Sequence, residues 1–196
     1  MTVKSSNANA RANDAAAGRR ELLRATTRVV AAGGLRALTY RSVAAEAGVS
    51  HSLVQHHFGT LDKLISETMR DVLDRVIEAG GLRSPSSDIA DFSAELDASV
   101  EAESDSQRFL SEMIVEAARR PELRPLIGEL YAELRRSTLA QLEQRGIAAD
   151  PGLVDLVVAA LDGLVFHQLA FHDRDTTRRA LARLRELLAA LTADHG

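Results

Sequence analysis

The chain has 196 residues, 45% of them hydrophobic and 4% aromatic, with no cysteine and a net charge of −4. That length supports one or two small helical domains with a real core, and the absence of thiols excludes a disulfide framework and thiolate metal sites. The charge is unevenly placed: residues 1–60 hold eight Lys/Arg against three Asp/Glu, and residues 61–196 hold sixteen against twenty-five. A basic N-terminal third suits phosphate contact, while an acidic remainder keeps the rest of the surface off a duplex.

Residues 1–18 are rich in Ala, Asn and Ser and are expected to form a disordered arm; they lack the apolar run of a signal peptide. Residues 19–32 place Leu22, Leu23, Thr26, Val29 and Val30 on one stripe, which predicts a helix ended by Gly33-Gly34. Two short helical patterns follow, 40–47 and 51–57, separated by Gly48-Val49-Ser50. Thr39 is placed to cap the first and Ser50 the second, and Gly48 can take the left-handed conformation that ends a helix without Cβ strain. Val43, Ala44, Ala47, Val49, Val54 and Phe58 supply a small apolar wedge to hold the pair at a steep angle.

That arrangement is a helix-turn-helix, with His51, Ser52, Leu53, Gln55, His56 and His57 turned outward as a DNA-reading face. His51 and Ser52 are expected near base edges, and Leu53 can touch a thymine methyl. Thr39, Arg41, Gln55 and His57 are expected at phosphates, which position a protein without reading sequence. His56 and His57 are adjacent and point apart, with no i,i+4 pair of ligands, so no metal is expected. Arg11, Arg19 and Arg20 read either as an arm following the DNA or as a solvated tail.

The remainder reads as helices without a convincing strand. Residues 61–79 carry Leu64, Ile65, Met69, Val72 and Val76 at helical spacing. The breaker cluster 80–87, Gly-Gly-Leu-Arg-Ser-Pro-Ser-Ser, marks the expected edge between a DNA-binding domain (19–80) and a second helical domain (81–196). Further helices are expected at 88–99, at 106–119, from Pro125 to Gly146, at 152–172 and at 176–192, with Pro121–Arg124 a separate turn. The 152–172 helix is apolar on nearly all sides, and the last helix carries a leucine seam. Leu161, Leu164, Leu181, Leu184 and Leu188 are therefore expected to pack against their copies in a homodimeric four-helix bundle, with Arg178, Arg179, Arg183 and Arg185 off the seam.

Phe109, Met113, Tyr131 and Phe166 are among the few large side chains of this half. They read either as plain core or as the lining of a cavity for a mostly hydrophobic small molecule, held by shape more than by charge. There is no Ser/His/Asp arrangement, Gly-rich phosphate loop or His-Glu-x-x-His, so neither an enzyme nor a cofactor is expected. No run of apolar residues reaches the ~18–20 of a membrane span, so a membrane partner is not expected and a cytoplasmic location is.

Thr39, Val43, Ala44, Ala47, Gly48, Val49, Ser50, Val54, Phe58 and Leu64 match a motif that resembles the TetR family of transcriptional regulators. Gln55 stands where the family usually has tyrosine and Leu61 where it usually has lysine, both customary phosphate contacts; Lys63, two residues on, is the candidate replacement. The resemblance implies an all-α fold with an N-terminal helix-turn-helix and a C-terminal ligand-binding and dimerisation domain. It also implies a double-stranded, palindromic DNA operator as partner, a second copy of the chain, and release from the operator by a small molecule. A regulator without a ligand, and a helical protein-interaction module, remain the alternatives.

Overall fold

The computed structural model describes residues 3–79 and 84–193, with side chains placed for 16–79 and 84–191. Every regular element among the described residues is helical. The chain divides into two compact units, residues 1–71 and 72–196. The division falls inside a helix rather than at the glycine cluster, of which residues 80–83 lie outside the described residues.

The first unit holds α1 (Val3–Gly33), a 3-10 turn (Leu35–Ala37), α2 (Tyr40–Ala47), α3 (His51–Phe58) and the start of α4 (Leu61–Ala79). α1 begins well before residue 19, so most of the segment expected to be a disordered arm continues the helix. Alanine is the strongest helix former, and no glycine or proline interrupts the segment before Gly18, so its composition lets the helix continue. The core is built from Leu22, Val30, Val43, Val54, Phe58 and Leu64, all nearly inaccessible. Thr26 and Thr27 are buried too, and each hydroxyl donates to the carbonyl four residues back, at 2.8 and 3.1 Å. They fill core space without leaving a polar group unpaired.

The second unit holds the end of α4, a 3-10 turn (Ile89–Asp91), α5 (Leu96–Ala102), α6 (Ser104–Ala117), a second such turn (Pro121–Leu123), α7 (Arg124–Gln144), α8 (Pro151–Phe171) and α9 (Arg174–Ala193). The single helix expected over 88–99 is broken: Ser93 sits at φ 48°, and the Phe92 carbonyl accepts a 2.8 Å hydrogen bond from Arg185 Nε. Tertiary anchoring of the fully buried Phe92 replaces the intrahelical ladder there. Pro121 opens its own turn as expected, and Pro125 lies in the first turn of α7, where its missing N–H costs nothing. Asp150 caps α8 by accepting from the Leu153 N–H at 2.7 Å.

α5, α6, α7 and α9 all pack against α8. Leu161, Leu181 and Leu188 lie in the core of this unit with Leu142, Val154 and Val157, and Leu164 and Leu184 pack against it. The leucine seam assigned to a partner subunit is thus an intramolecular seam, because α8 and α9 first satisfy each other. The large apolar residues of α8 and α9 left outward are others: Leu156 (66% exposed), Phe166 (40%), Phe171 (70%), Leu187 (60%) and Leu191 (40%). By length and composition α8 is apolar enough to cross a membrane, with a mean hydropathy of 1.7, although its apolar run is broken at Asp155 and Asp162. Its inward face is core of the second unit.

Candidate functional site

α2 opens with a capping box, in which the expected cap Thr39 is joined by Ser42. Thr39 Oγ1 accepts from the Ser42 N–H at 3.0 Å, and Ser42 Oγ accepts from the Thr39 N–H at 2.9 Å. The box usually closes with Glu or Gln, so serine at its fourth position gave a weak signal. α2 ends on Gly48 at φ 67°, where the Gly48 and Val49 N–H groups return to Ala45 and Ala44 at 3.3 and 2.9 Å. These paired bonds form the Schellman turn that sets α3 across α2. Val49, expected in the wedge, is 37% exposed because the turn directs it outward; Val54 and Phe58 hold the junction. The Tyr40 hydroxyl donates to the Gly59 carbonyl at 2.9 Å, tying the start of α2 to the end of α3.

This frame leaves one face of α3 polar and open. His51, Ser52, Leu53, Gln55 and His56 are exposed, His57 is half-buried, and Thr39, Arg41, Ser50 and Lys63 are exposed beside them in sequence. Ser50 occupies the N-cap position of α3 but makes no capping hydrogen bond; its hydroxyl lies 3.0 Å from that of Ser52. Lys63 has its backbone N–H held by Thr60 Oγ1 at 3.1 Å, which starts α4 and leaves the ammonium free to extend. Arg19, a candidate for the arm, pairs instead with Glu67, and its guanidinium lies 4.7 Å from the centre of the Phe58 ring. Arg20 is exposed, and the Arg11 side chain lies outside the described residues.

The second unit contains a cavity of about 60 Å³. Its walls are one face of each of three helices: Gln107, Leu110, Ser111 and Ile114 of α6; Leu130, Leu134 and Thr138 of α7; Val158, Leu161, Asp162, Val165 and Phe166 of α8. Leu73 and Val76 of α4, and Ser93 and Leu96, complete it. Of the four residues expected to line such a cavity, Phe166 does. Phe109 and Met113 are fully buried on the neighbouring stripe of α6, where they serve as packing. Tyr131 stands behind the wall, its hydroxyl donating to Asp162 Oδ2 at 2.8 Å. Burial pushes the Asp162 carboxyl upward from its ordinary range, against the Tyr131 hydrogen bond; burial and the same carboxylate push the Tyr131 phenol upward as well.

Ser93 and Thr138, 1% and 0% exposed, hold buried hydroxyls with no hydrogen-bond partner among the described residues. Asp162 was the legible signal missed: a carboxylate at helical spacing from Val158 and Val165 in the most apolar helix of the chain. Ser93 carried none, since its placement depends on the break in the expected helix.

A capped helix pair with one polar outer face, followed in the chain by a helical unit around an apolar cavity, defines a helix-turn-helix regulator of the two-domain kind. The family described as bacterial regulatory proteins, tetR family, matches residues 22–68, and the tetracyclin repressor-like C-terminal domain matches residues 84–193. The HTH-type transcriptional regulator BetI of Agrobacterium fabrum is 30% identical over 162 residues, 74% of each chain. BetI of Brucella anthropi is 47% identical over 55 residues, so the match spans 28% of that protein's length. Among solved structures, a transcriptional regulator of Rhodococcus sp. Rha1 aligns with a TM-score of 0.69 at 26% identity, covering 90% of this chain and 96% of that one. The multidrug binding protein EbrR complexed with proflavin aligns at 0.59 and 28% identity, covering 89% and 99%. The chain belongs to the TetR family of transcriptional regulators. Members of that family are DNA-binding regulators, not enzymes.

Proposed function

We propose that the protein is a cytoplasmic repressor that binds a palindromic operator as a homodimer and leaves it when a small molecule occupies the second unit. The observation that carries this reading is the polar, outward face of α3, framed by buried Val54 and Phe58. His51, Ser52 and Leu53 would approach base edges, and Thr39, Arg41, Ser50, Gln55, His56, His57 and Lys63 would serve the backbone or its neighbourhood. Two such helices about 34–36 Å apart would enter successive major grooves.

Dimerisation through α8 and α9 is supported by the apolar residues they leave outward, Leu156, Leu187 and Leu191. Ligand response is supported by the cavity with its two unpartnered hydroxyls, and by the EbrR relative complexed with proflavin. Leu73 and Val76 of the cavity belong to α4, the helix that follows α3 in sequence. A ligand packed against them is placed to bias that helix toward a conformation that no longer matches the operator, a population shift limited by its differential affinity for the two states.

Titrating the protein into labelled duplexes from the DNA flanking its own gene tests the reading. Saturable, salt-sensitive binding by two copies per site is expected. Binding no tighter than to unrelated duplex would sink it.

A further inference from the structure

Resting on the reading of the second unit as a ligand-binding domain, the chemistry of its cavity narrows the ligand class. The walls are Leu, Val, Ile and Phe166 for most of their area, and Asp162 is the only charged residue among the described residues that line them. Tyr131 occupies Asp162 Oδ2 from behind. Among the described residues, no lysine, arginine or histidine lines the cavity to balance the carboxylate. An unbalanced carboxylate facing an apolar cavity is costly unless an opposite charge arrives with the ligand or a proton is taken up. Ser93 and Thr138 belong to the same wall, but their hydroxyls are buried within it and without a partner among the described residues, so the carboxylate is the polar group that sets the ligand's charge.

We propose that this cavity binds a compact lipophilic monocation, its ammonium set against the Asp162 carboxylate and its apolar body against α6, α7 and Phe166. An anionic ligand is disfavoured by the same carboxylate. A neutral apolar ligand would bury Asp162 with only the Tyr131 hydrogen bond and proton uptake to offset its charge. The cation supplies the missing charge. Displacement of water strengthens the pairing, because the carboxylate then lies in a medium of low polarity. This differs from the recognition by shape more than by charge expected from the sequence, and it makes Asp162 the specificity-determining residue.

Three probes of similar size decide it: 2-phenylethylammonium, 2-phenylethanol and phenylacetate, each titrated calorimetrically into the full-length protein. The cation is expected to bind at least tenfold more tightly than the alcohol, with the carboxylate weakest. In Asp162→Asn, which keeps the shape and an acceptor for Tyr131, the cation should fall to the level of the alcohol while the alcohol is unchanged. Ile114→Trp, which fills the cavity, should abolish both. Equal binding of cation and alcohol, abolished by Ile114→Trp, would overturn the cation proposal while leaving the ligand domain intact. Failure of all three probes to bind would overturn both. Should Asp162→Asn fail to fold, the ranking of the three probes on the unaltered protein still decides.

Discussion

The Tyr40 hydroxyl closes the helix-turn-helix on itself by donating to the Gly59 carbonyl, 19 residues away in sequence. The bond spans the first residue of α2 and the cap of α3, so it restrains the angle between the two helices. Because it is solvent-exposed, Tyr40→Phe should cost about 0.5–1 kcal/mol of stability in the first unit. Hydrogen exchange at α2 and α3 amides should rise accordingly; unchanged protection would mean that the Schellman turn at Gly48 fixes the angle alone.

Positioning and reading should separate by mutation. Arg41→Ala is expected to weaken all duplexes to a similar degree and to lower the salt slope by about one unit. Ser52→Glu should abolish operator binding with circular dichroism unchanged, since Ser52 is exposed and supports no packing. Normal operator affinity in Ser52→Glu would move the reading face elsewhere.

Adjacent leucines on α9 should behave in opposite ways. Leu188, 1% exposed, is core, and Leu188→Asp should destabilise the fold by about 3–5 kcal/mol. Leu187, 60% exposed, is available to a partner. Leu187→Asp should give a folded monomer in sedimentation at micromolar concentration, and a persisting dimer would place the interface on another face.

Asp97 provides a pH-dependent clamp. Burial pushes its carboxyl upward, but hydrogen bonds from Arg174 and Arg178 outweigh this and hold it below the ordinary value of 3.8. Arg178 Nε and Arg174 Nη2 lie 2.8 and 2.9 Å from Asp97 Oδ2, tying α9 to α5; Glu101 also faces Arg174. Folding therefore favours the ionised form, so the stabilisation is complete above the unfolded value and is lost as pH falls through the lower native one. Asp97→Asn should cost about 1 kcal/mol at pH 7, a modest figure because both arginines are partly solvated. Urea melts should show that difference shrinking below pH 3.8, and a constant difference down to pH 2 would contradict it.

Much of the first unit was legible because its determinants are local. Thr39, Gly48 and Ser50 punctuate two short helices, and the alternation of small apolar and polar residues assigns an inner and an outer face. The extent of α1 was not legible from composition, since an Ala-rich polar stretch reads equally as arm or as helix. In the second unit, the helices at 106–119, 125–146, 152–172 and 176–192 were visible to within a few residues, as was the separate turn at Pro121. The segment 88–99 was misjudged because its conformation is imposed from outside, through Arg185 and the burial of Phe92.

By itself, the sequence determined the family, the helical architecture and the face of α3 that looks outward, all of which follow from caps, turns and the 3.6-residue period. Only the tertiary structure decided what each apolar stripe meets. A leucine seam on α9 looks the same whether its partner is α8 or a second copy, and the packing gave Leu181 and Leu188 to α8 while leaving Leu187 outside. Likewise Phe109 and Leu110 are neighbours in sequence, yet the first is core and the second wall, because the helical period turns each residue about 100° from the last. Which side of that angle holds a void is a property of how α6, α7 and α8 cross, and it turned Asp162 from a polar interruption in an apolar helix into the charged centre of a cavity.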